Sequence, residues 1–481
     1  MKVRALVLLA LAAAISCLAA QPKKATTPAP KPKPAAQAPT SLVLLYTAGA
    51  DGQIRSCNCT KFRFGGYGRE MTLLDSIRSR EKDVLLIEGG DVTGGTGFQA
   101  DLKAHVAAQA LQLLGYGAMV LGEKELGVRA VRYVDRFEPR VPLVCANVVK
   151  SGESKPVFKP YTILKTAGGL RVAVIGMIDG GLCAPWLATS FGEDTTKPSD
   201  VLPALVKEAR SKADLVVLAY HGVLDEKSDF AKIQGIDLVL TTHRHSQSRI
   251  FPKEDQNTVD APVGKLGDAV LVHSETSTNW CLGRLDISLA PGRSIKAVKH
   301  TLLYLDRAYE EHPAMVKVYD AYNANVEKAV LENAAAFKKG AEALLTKRGL
   351  NLTEMRKKLH KTGFATDAGC KDCHPEIHKI WSASRHARAM ATLQKTKQEF
   401  DPECIRCHAT GISHRNGFAN VKDTPELANV QCEACHGPVL GHAATPVKGF
   451  GKVGEATCRS CHTDERTPDF DFAVAWAKIM H

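Results

Sequence analysis

Aromatic side chains are scarce in this sequence, 6% of 481 residues, which argues against a large stacking surface of the kind that grips single-stranded nucleic acid. Beyond the N-terminal leader no apolar run approaches the length of a bilayer-spanning helix. Nor is the composition that of a disordered chain, since hydrophobic residues make up 44% of it, ordinary for globular protein. A chain this long exceeds what one hydrophobic core organises, so two folded domains with accessory pieces are expected.

The leader, MKVRALVLLALAAAISCLAA over residues 1–20, has a basic start at Lys2 and Arg4, an apolar run and small residues at its end. That is the pattern of a secretory signal, too short for a membrane-spanning anchor. Cleavage after Ala20 fits it, and so does a lipoprotein box ending at an acylated Cys17. The first predicts a soluble exported protein and the second a lipid-anchored one; both work outside the cytoplasm, and a lipid anchor is the only membrane attachment expected. Residues 21–40, QPKKATTPAPKPKPAAQAPT, form a Pro/Ala/Lys tract that reads as a semi-rigid spacer or a plain disordered lead-in.

Eight of the 14 cysteines fall between residues 370 and 461 in four copies of one pattern, CKDCH, CIRCH, CEACH and CRSCH. Each is C-x-x-C-H, the attachment motif of c-type haem. Two thiols a helical turn apart add to the two vinyl groups of one haem, and the adjacent histidine lies under the iron. A single copy is compatible with a thiol redox pair or half a zinc site, but four copies, each with its histidine, favour four covalent haem c groups. They are assigned to Cys370, Cys373 and His374; Cys404, Cys407 and His408; Cys432, Cys435 and His436; and Cys458, Cys461 and His462.

Haem iron that only carries electrons usually takes a second strong ligand, which shuts substrate out. The region offers His360, His378, His386, His414, His442 and His481 for that role, more than four irons require. The stretches CKDCHPEIHKIWSASRHARAM, VQCEACHGPVLGH and CRSCHTDERTPDFDFAVAWAKIMH resemble the multihaem cytochromes c typified by the nitrifier tetrahaem cytochrome. The resemblance implies distal ligands at His386, His442 and His481. His414 is the fourth candidate, with a solvent-facing loop histidine and a five-coordinate haem as its alternative.

The formal charge of +12 shrinks on inspection, because Lys2 and Arg4 belong to the leader and Lys23, Lys24, Lys31 and Lys33 to the spacer. Each haem brings two propionates against one excess charge on ferric iron, which with four haems leaves about +2 on the folded part. No nucleic-acid partner is expected.

Residues 41–300 alternate apolar β-branched runs with amphipathic segments. Strands are predicted at SLVLLY, DVLLIEG, GAMVLG, PLVCAN, RVAVIGMI, ADLVVLAY, IDLVLTT and DAVLVHS, and helices at GREMTLLDSIRSR, HVAAQALQLLG and LPALVKEARSK. Buried strands alternating with helices mean a layered α/β domain, whose ligands collect at the carboxyl ends of the strands. There the sequence places Asp91, Glu123, Lys124, His221, His243 and His245. Taken alone, the two histidines of TTHRH fit a strand-end pair bonding its loop, and Asp91 fits a turn.

In this order the residues resemble the metallophosphatase domain of the 5'-nucleotidase family, whose two metals activate water against a phosphate ester. The family pattern runs T-N-D-x-H-G, G-D, G-N-H-E, S-H-x-G and G-H-x-H. Here YTAGADGQI puts Gly49 in place of the first metal-binding aspartate and Asp51 in place of the histidine, and LGEKELG puts Glu123 and Lys124 in place of the asparagine and histidine. The resemblance therefore implies one retained metal on Asp91, Glu123, His221 and His243, suited to zinc, manganese or iron. The other metal keeps only Asp91 and His245, with Asp51 as a stand-in. An empty remnant and a rearranged hydrolase are the alternatives.

Cys57 and Cys59, in SCNCTKFRFGGYG, lie near the missing ligands and are expected to form disulfides with partners among Cys145, Cys183 and Cys281, metal ligation being the alternative. The whole reads as a layered α/β metallophosphatase-like sandwich over 41–304, a helical connector over 305–363 with a break at Asn351 and Leu352, and a mainly α, irregular multihaem cytochrome c domain over 364–481. The expected function is electron transfer with redox partner proteins in the periplasm or at the membrane surface. The rivals are a metal-dependent phosphoesterase coupled to haem and a haem reductase of a small nitrogen or sulfur compound; no catalytic residue is assigned.

Overall fold

The computed structural model describes residues 40–481 apart from 57–63, 128–130, 226, 244–255, 275, 277–278, 350, 352–362, 415, 440, 443–444, 464–465 and 468–469. The strands in chain order are β1 (Ser41–Thr47), β2 (Val84–Glu88), β3 (Ala118–Val120), β4 (Leu143–Val144), β5 (Val148–Lys150), β6 (Tyr161–Lys165), β7 (Arg171–Ile178), β8 (Glu193–Thr195), β9 (Leu215–His221), β10 (Leu238–Thr241), β11 (Thr258–Asp260), β12 (Gly264–Leu266), β13 (Ala269–His273), β14 (Cys281–Leu289) and β15 (Ile295–Tyr304). The helices of this part are α1 (Tyr67–Arg80), α2 (Phe98–Leu114), α3 (Glu123–Leu126), α4 (Val134–Phe137), α5 (Gly180–Phe191), α6 (Pro198–Lys212) and α7 (Pro313–Lys347).

One sheet has seven strands in the order β11-β15-β14-β1-β2-β3-β4, and a second has six in the order β12-β13-β10-β9-β7-β6. Alternation along β1 explains how they stack. Leu42, Leu44 and Tyr46 point into a core shared with Val172, Val174, Val217 and Leu240 of the second sheet. Val43 and Leu45 point the other way, onto Leu74 and Ile77 of α1, Leu111 of α2 and Tyr319 of α7. On the far side of the second sheet, Ala173, Val216 and Leu218 pack against Leu202, Val206 and Ala209 of α6. The result is a helix/sheet/sheet/helix sandwich whose central strands are covered on both faces, which is why they read as continuous apolar runs.

Apolar runs alone miss β14 and β15. Along β14, Arg284, Asp286 and Ser288 alternate with buried Leu285, Ile287 and Leu289, the pattern of an antiparallel pair with one wet face. This pair extends the first sheet past β1, with Ser41 opposite Ser288 and Tyr46 opposite Gly283. Gly283 is required there, since a Cβ would sit 2.1 Å from the Tyr46 ring.

In α7 the first half packs through Met315, Tyr319, Tyr322 and Val326, whereas Phe337 and Leu344 further along are exposed. Of the expected break at Asn351 and Leu352, Leu352 lies outside the described residues. No described helix is long and apolar enough to cross a membrane.

The C-terminal part consists of short helices: α8 (Thr366–Lys371), α9 (Pro375–Ala383), α10 (Ala389–Gln394), α11 (Pro402–Ile405), α12 (Cys432–His436), α13 (Glu455–Arg459) and α14 (Phe472–Trp476). Its own cluster of buried apolar residues is Met390, Leu393, Ile405, Ala409, Phe418 and Leu427, too few to hold over a hundred residues by burial alone. It rests on α2 and α7. Gln99 donates to Asp401 at 2.6 Å and the Tyr322 hydroxyl to the same carboxylate at 3.3 Å. Asn323 donates to the Thr396 carbonyl at 3.2 Å, and Lys103 pairs with Glu403 at 2.6 Å.

Candidate metal centre and haem-attachment segments

The carboxyl ends of β2 and β3 in one sheet and of β9 and β10 in the other converge on one point. Asp91 follows β2 in a left-handed turn with φ 57°. Its backbone N–H and those of Thr93 and Gly122 donate to the carboxylate of Glu125, at 2.9, 2.9 and 3.2 Å. Glu125 is fully buried, and burial, with the Asp91 charge added, pushes its carboxyl up to about 7. Sequence reasoning misses this residue. Its signal was the Gly-x-x-Glu spacing of LGEKELG, a glutamate at the third position of α3 reaching back to the cap. Gly122 admits the loop, because a Cβ there would lie 2.4 Å from Asp91 Oδ1.

His221 ends β9 with its ring fully buried. Its Nδ1 lies 2.7 Å from the Gly89 carbonyl, to which it donates, and Thr242 donates to the same oxygen at 2.6 Å. That leaves Nε2 facing Glu123 Oε2 at 2.9 Å and Asp91 Oδ1 at 3.6 Å. Burial alone would depress the imidazole, but the two carboxylates outweigh it and push it up to about 10. His243 Nε2 stands 3.7 Å from Glu123 Oε1, its ring edge-on to His221 with centroids 5.2 Å apart, and its buried Nδ1 has no hydrogen-bond partner among the described residues. Ligand atoms of Asp91, Glu123, His221 and His243 all lie within 4.8 Å of one another. Two imidazoles and two carboxylates at this spacing, one imidazole fixed through its far nitrogen by a carbonyl, are a donor set that fits a divalent metal.

Beside this cluster the Lys124 ammonium contacts Asp51 and lies 3.2 Å from Asp91 Oδ2. Asp51, at φ 52°, is tied to the next loop by its N–H to the Asp91 carbonyl at 2.9 Å. Burial raises its carboxyl and Lys124 partly offsets the rise. His245, Cys57 and Cys59 lie outside the described residues. Cys145 and Cys183 are buried thiols, not the disulfide partners expected of them; apolar burial pushes both up to about 12. Cys281 is buried in β14.

In the C-terminal part the four C-x-x-C-H segments sit on or beside α8, α11, α12 and α13. In the first and fourth, the histidine N–H returns to the carbonyl of the first cysteine, His374 to Cys370 and His462 to Cys458, both at 2.9 Å. The motifs approach in pairs, the Cys370 thiol beside Cys432 and the Cys407 thiol beside Cys461. Glu433, inside the third motif, accepts the N–H groups of Ala365 and Thr366 at 2.9 and 2.8 Å and so caps α8.

Three distal candidates face motif histidines across the fold. His442 lies opposite His374 with ring planes 10° apart and centroids 6.4 Å apart, His386 opposite His462 at 6.3 Å, and His481 opposite His436 at 5.7 Å. A first-row metal bonded to an imidazole nitrogen at about 2.0 Å on either side would hold the ring centres roughly 6.3 Å apart. Burial lowers the His386 and His462 imidazoles, favouring the neutral form that ligates metal. His408 and His436 donate through Nδ1 to the carbonyls of Ala389 and Gly451, each at 2.7 Å, which leaves Nε2 for the iron. The donor set thus fits haem, and the small apolar core fits a domain whose interior is completed by porphyrin.

His414 is not brought to a motif histidine: it meets Phe364 edge-on at 5.2 Å. Among the described residues no imidazole stands opposite His408. His378 pairs with Asp367 at 3.2 Å, and His360 lies outside the described residues.

Residues 369–437 match the family described as Cytochrome c554 and c-prime. Over 128 residues the chain is 30% identical to cytochrome c-554 of Nitrosomonas europaea, covering 19% of this chain and 54% of that protein. Over 342 residues it is 25% identical to the 5'-nucleotidase of Diplobatis ommata, covering 66% of this chain and 58% of that one. The chain joins a metallophosphatase-like domain to a cytochrome c554-like domain. The fold of the first is also that of the 5'-nucleotidase precursor from Thermus thermophilus, with a TM-score of 0.50 at 21% identity over 60% of this chain and 59% of that chain. The chain spans little more than half the length of each of these relatives.

The cytochrome c554-like domain implies haem, and the metallophosphatase-like domain carries a four-residue cluster able to take a metal. Asp401, held by Gln99 and Tyr322, caps α11 through the Glu403 N–H at 2.9 Å, and α11 bears Cys404 of the second motif. Gln99 begins α2, the helix that follows the Asp91 loop. One buried carboxylate therefore links α2 and α7 to the segment that bears the second motif.

Proposed function

We propose that this protein is an exported electron carrier with four covalently attached haems, whose metallophosphatase-like domain binds one divalent metal and does not hydrolyse phosphate esters. The observation that carries the electron-transfer reading is the set of three facing imidazole pairs, His374 with His442, His386 with His462 and His436 with His481. Two strong ligands fix the geometry at an iron between oxidation states and exclude substrate. Each haem, when bound, supplies a one-electron ferric/ferrous couple. The chain's own part is to seat it: the cysteine pairs would fix its edge, His408 and His436 are held in one tautomer by backbone carbonyls, and the approach of the first motif to the third and of the second to the fourth brings neighbouring sites close. Redox proteins in the same compartment are the partners this reading requires, and residues 1–20 are its export signal, soluble or acylated at Cys17.

The reading of the metallophosphatase-like domain rests on what surrounds the cluster. Asp91, Glu123, His221 and His243 suit one metal, whereas the paired clamp on attacking and leaving oxygens needs two. A reductive titration of the full chain, followed by visible spectroscopy, tests the carrier role: stepwise reduction of four haems with low-spin spectra is expected, and a chain without reversible reduction refutes it.

A second reading, reduction of a small nitrogen or sulfur compound, is favoured by the second motif, because no imidazole among the described residues stands opposite His408. It predicts one high-spin ferric haem whose signal shifts on adding nitrite or hydroxylamine.

A further inference from the structure

The cluster that fits a divalent metal has a cation of its own. We propose that the ammonium of Lys124 stands where a second metal ion would sit, so that the site takes one divalent ion only, on Asp91, Glu123, His221 and His243, with Asp91 shared between that ion and the lysine. This rests on the reading that those four residues bind a metal.

The geometry divides Asp91 between two cation positions. Its Oδ1 faces the His221 side, 3.6 Å from Nε2, and its Oδ2 faces Lys124, 3.2 Å from the ammonium. The second carboxylate at the lysine is Asp51, whose loop is fixed to the Asp91 loop through the backbone. The lysine is held from behind as well. Its own N–H donates to Asp91 Oδ1 at 3.2 Å, and α3, which carries it, is pinned by buried Glu125. If the ammonium swings aside, Asp51 and Asp91 Oδ2 lose the cation they share.

Charge counting gives the same result. Facing the two cation positions are three carboxylates, Asp51, Asp91 and Glu123, against the Lys124 ammonium, while Glu125 behind them is turned to three backbone N–H groups. One divalent ion with neutral histidines brings the net charge to zero. A second divalent ion beside Lys124 would leave an excess of two positive charges in a partly dehydrated pocket, where like charges are strongly disfavoured. Removing the ammonium reverses that balance and leaves Asp51 and Asp91 as oxygen donors of the type that manganese accepts.

The test is Mn²⁺ stoichiometry on the full, haem-loaded chain, with manganese counted per chain by elemental analysis after equilibration and the Mn²⁺ EPR signal recorded alongside. Wild type is expected to saturate at one manganese with the signal of an isolated ion. Lys124→Ala and Lys124→His are expected to take up two, with a spin-coupled signal because Asp91 bridges them. Two manganese ions in wild type would overturn the role of Lys124 while leaving the four-residue site standing. One manganese in wild type and still one in both folded variants would overturn it as well. No manganese in wild type, under conditions where the haem spectrum is intact, would overturn the underlying four-residue reading and this inference with it. Where Lys124→Ala does not fold, Lys124→His, which keeps a side chain in the place of the ammonium, carries the test.

Discussion

Metal uptake by the metallophosphatase-like domain should release a proton, and its affinity should therefore climb with pH. His221 is fully buried, its Nδ1 engaged by Gly89 and its Nε2 facing Glu123 and Asp91. Burial opposes its charged form, but the two carboxylates prevail and bring the imidazole up to about 10. A metal needs the same Nε2 without its proton. Below pH 10 each unit of acidification then weakens binding about tenfold, or about 1.4 kcal/mol, and between pH 10 and 7 the loss is about 4 kcal/mol. Competition titrations with Zn²⁺ or Mn²⁺ at pH 6.5, 7.5 and 8.5 should show that slope, and calorimetry in buffers of different ionisation enthalpy should register about one proton released per metal. The same linkage stabilises the metal-free fold. Because the folded value lies above the ordinary one, that stabilisation is complete below about 6.5 and is lost as pH rises through about 10. An affinity flat from pH 6.5 to 8.5, with no buffer-dependent heat, would refute the reasoning.

Asp401→Ala should loosen the cytochrome c554-like domain from α2 and α7: a lost cap costs about 1 kcal/mol, and stranding Gln99 and Tyr322 adds about 1–3 kcal/mol, read as earlier thermal unfolding and faster proteolysis at the junction. Glu88, buried and bonded to Thr47 at 2.5 Å, is pushed up to about 8 by burial. The folded state thus holds a proton that the unfolded chain gives up, and stability falls as pH rises from about 4.5 to 8. Glu88→Gln should be near neutral at pH 5 and should raise the melting temperature relative to wild type at pH 9. Ferric EPR should show low-spin signals from all four haems; one high-spin signal that His408→Met alters and His442→Met does not would favour the second reading, reduction of a small compound at the second motif.

Local signals made the outline of the chain readable. The C-x-x-C-H spacing is set by one helical turn, and the parallel strands of the sandwich are apolar throughout because both faces are covered. What lay beyond the sequence is what tertiary packing decides. Nothing local pairs His386 with His462 or His436 with His481, since those partners meet only when separate short helices dock. His414 carries a ligand-like context in GISHRNGF yet turns to Phe364. The substitution of Lys124 was visible, but its contact with Asp51 arises from two loops on different strands. Glu433 is a bridging carboxylate whose partners are backbone N–H groups, which leave no trace in the residue string, and Glu125 leaves only the Gly-x-x-Glu spacing. β14 and β15 were hidden because half of each strand is polar.

The central claim is a multihaem electron carrier with a single metal site, and the most direct test is a count of covalent haem and non-haem metal on one preparation. The full chain, expressed with c-type haem maturation and without chelator, should carry four haems by intact mass and the alkaline pyridine spectrum, plus one further divalent metal that disappears in His243→Ala. Fewer than four attached haems would contradict the carrier, and four haems with no other metal would leave Asp91, Glu123, His221 and His243 a structural cluster.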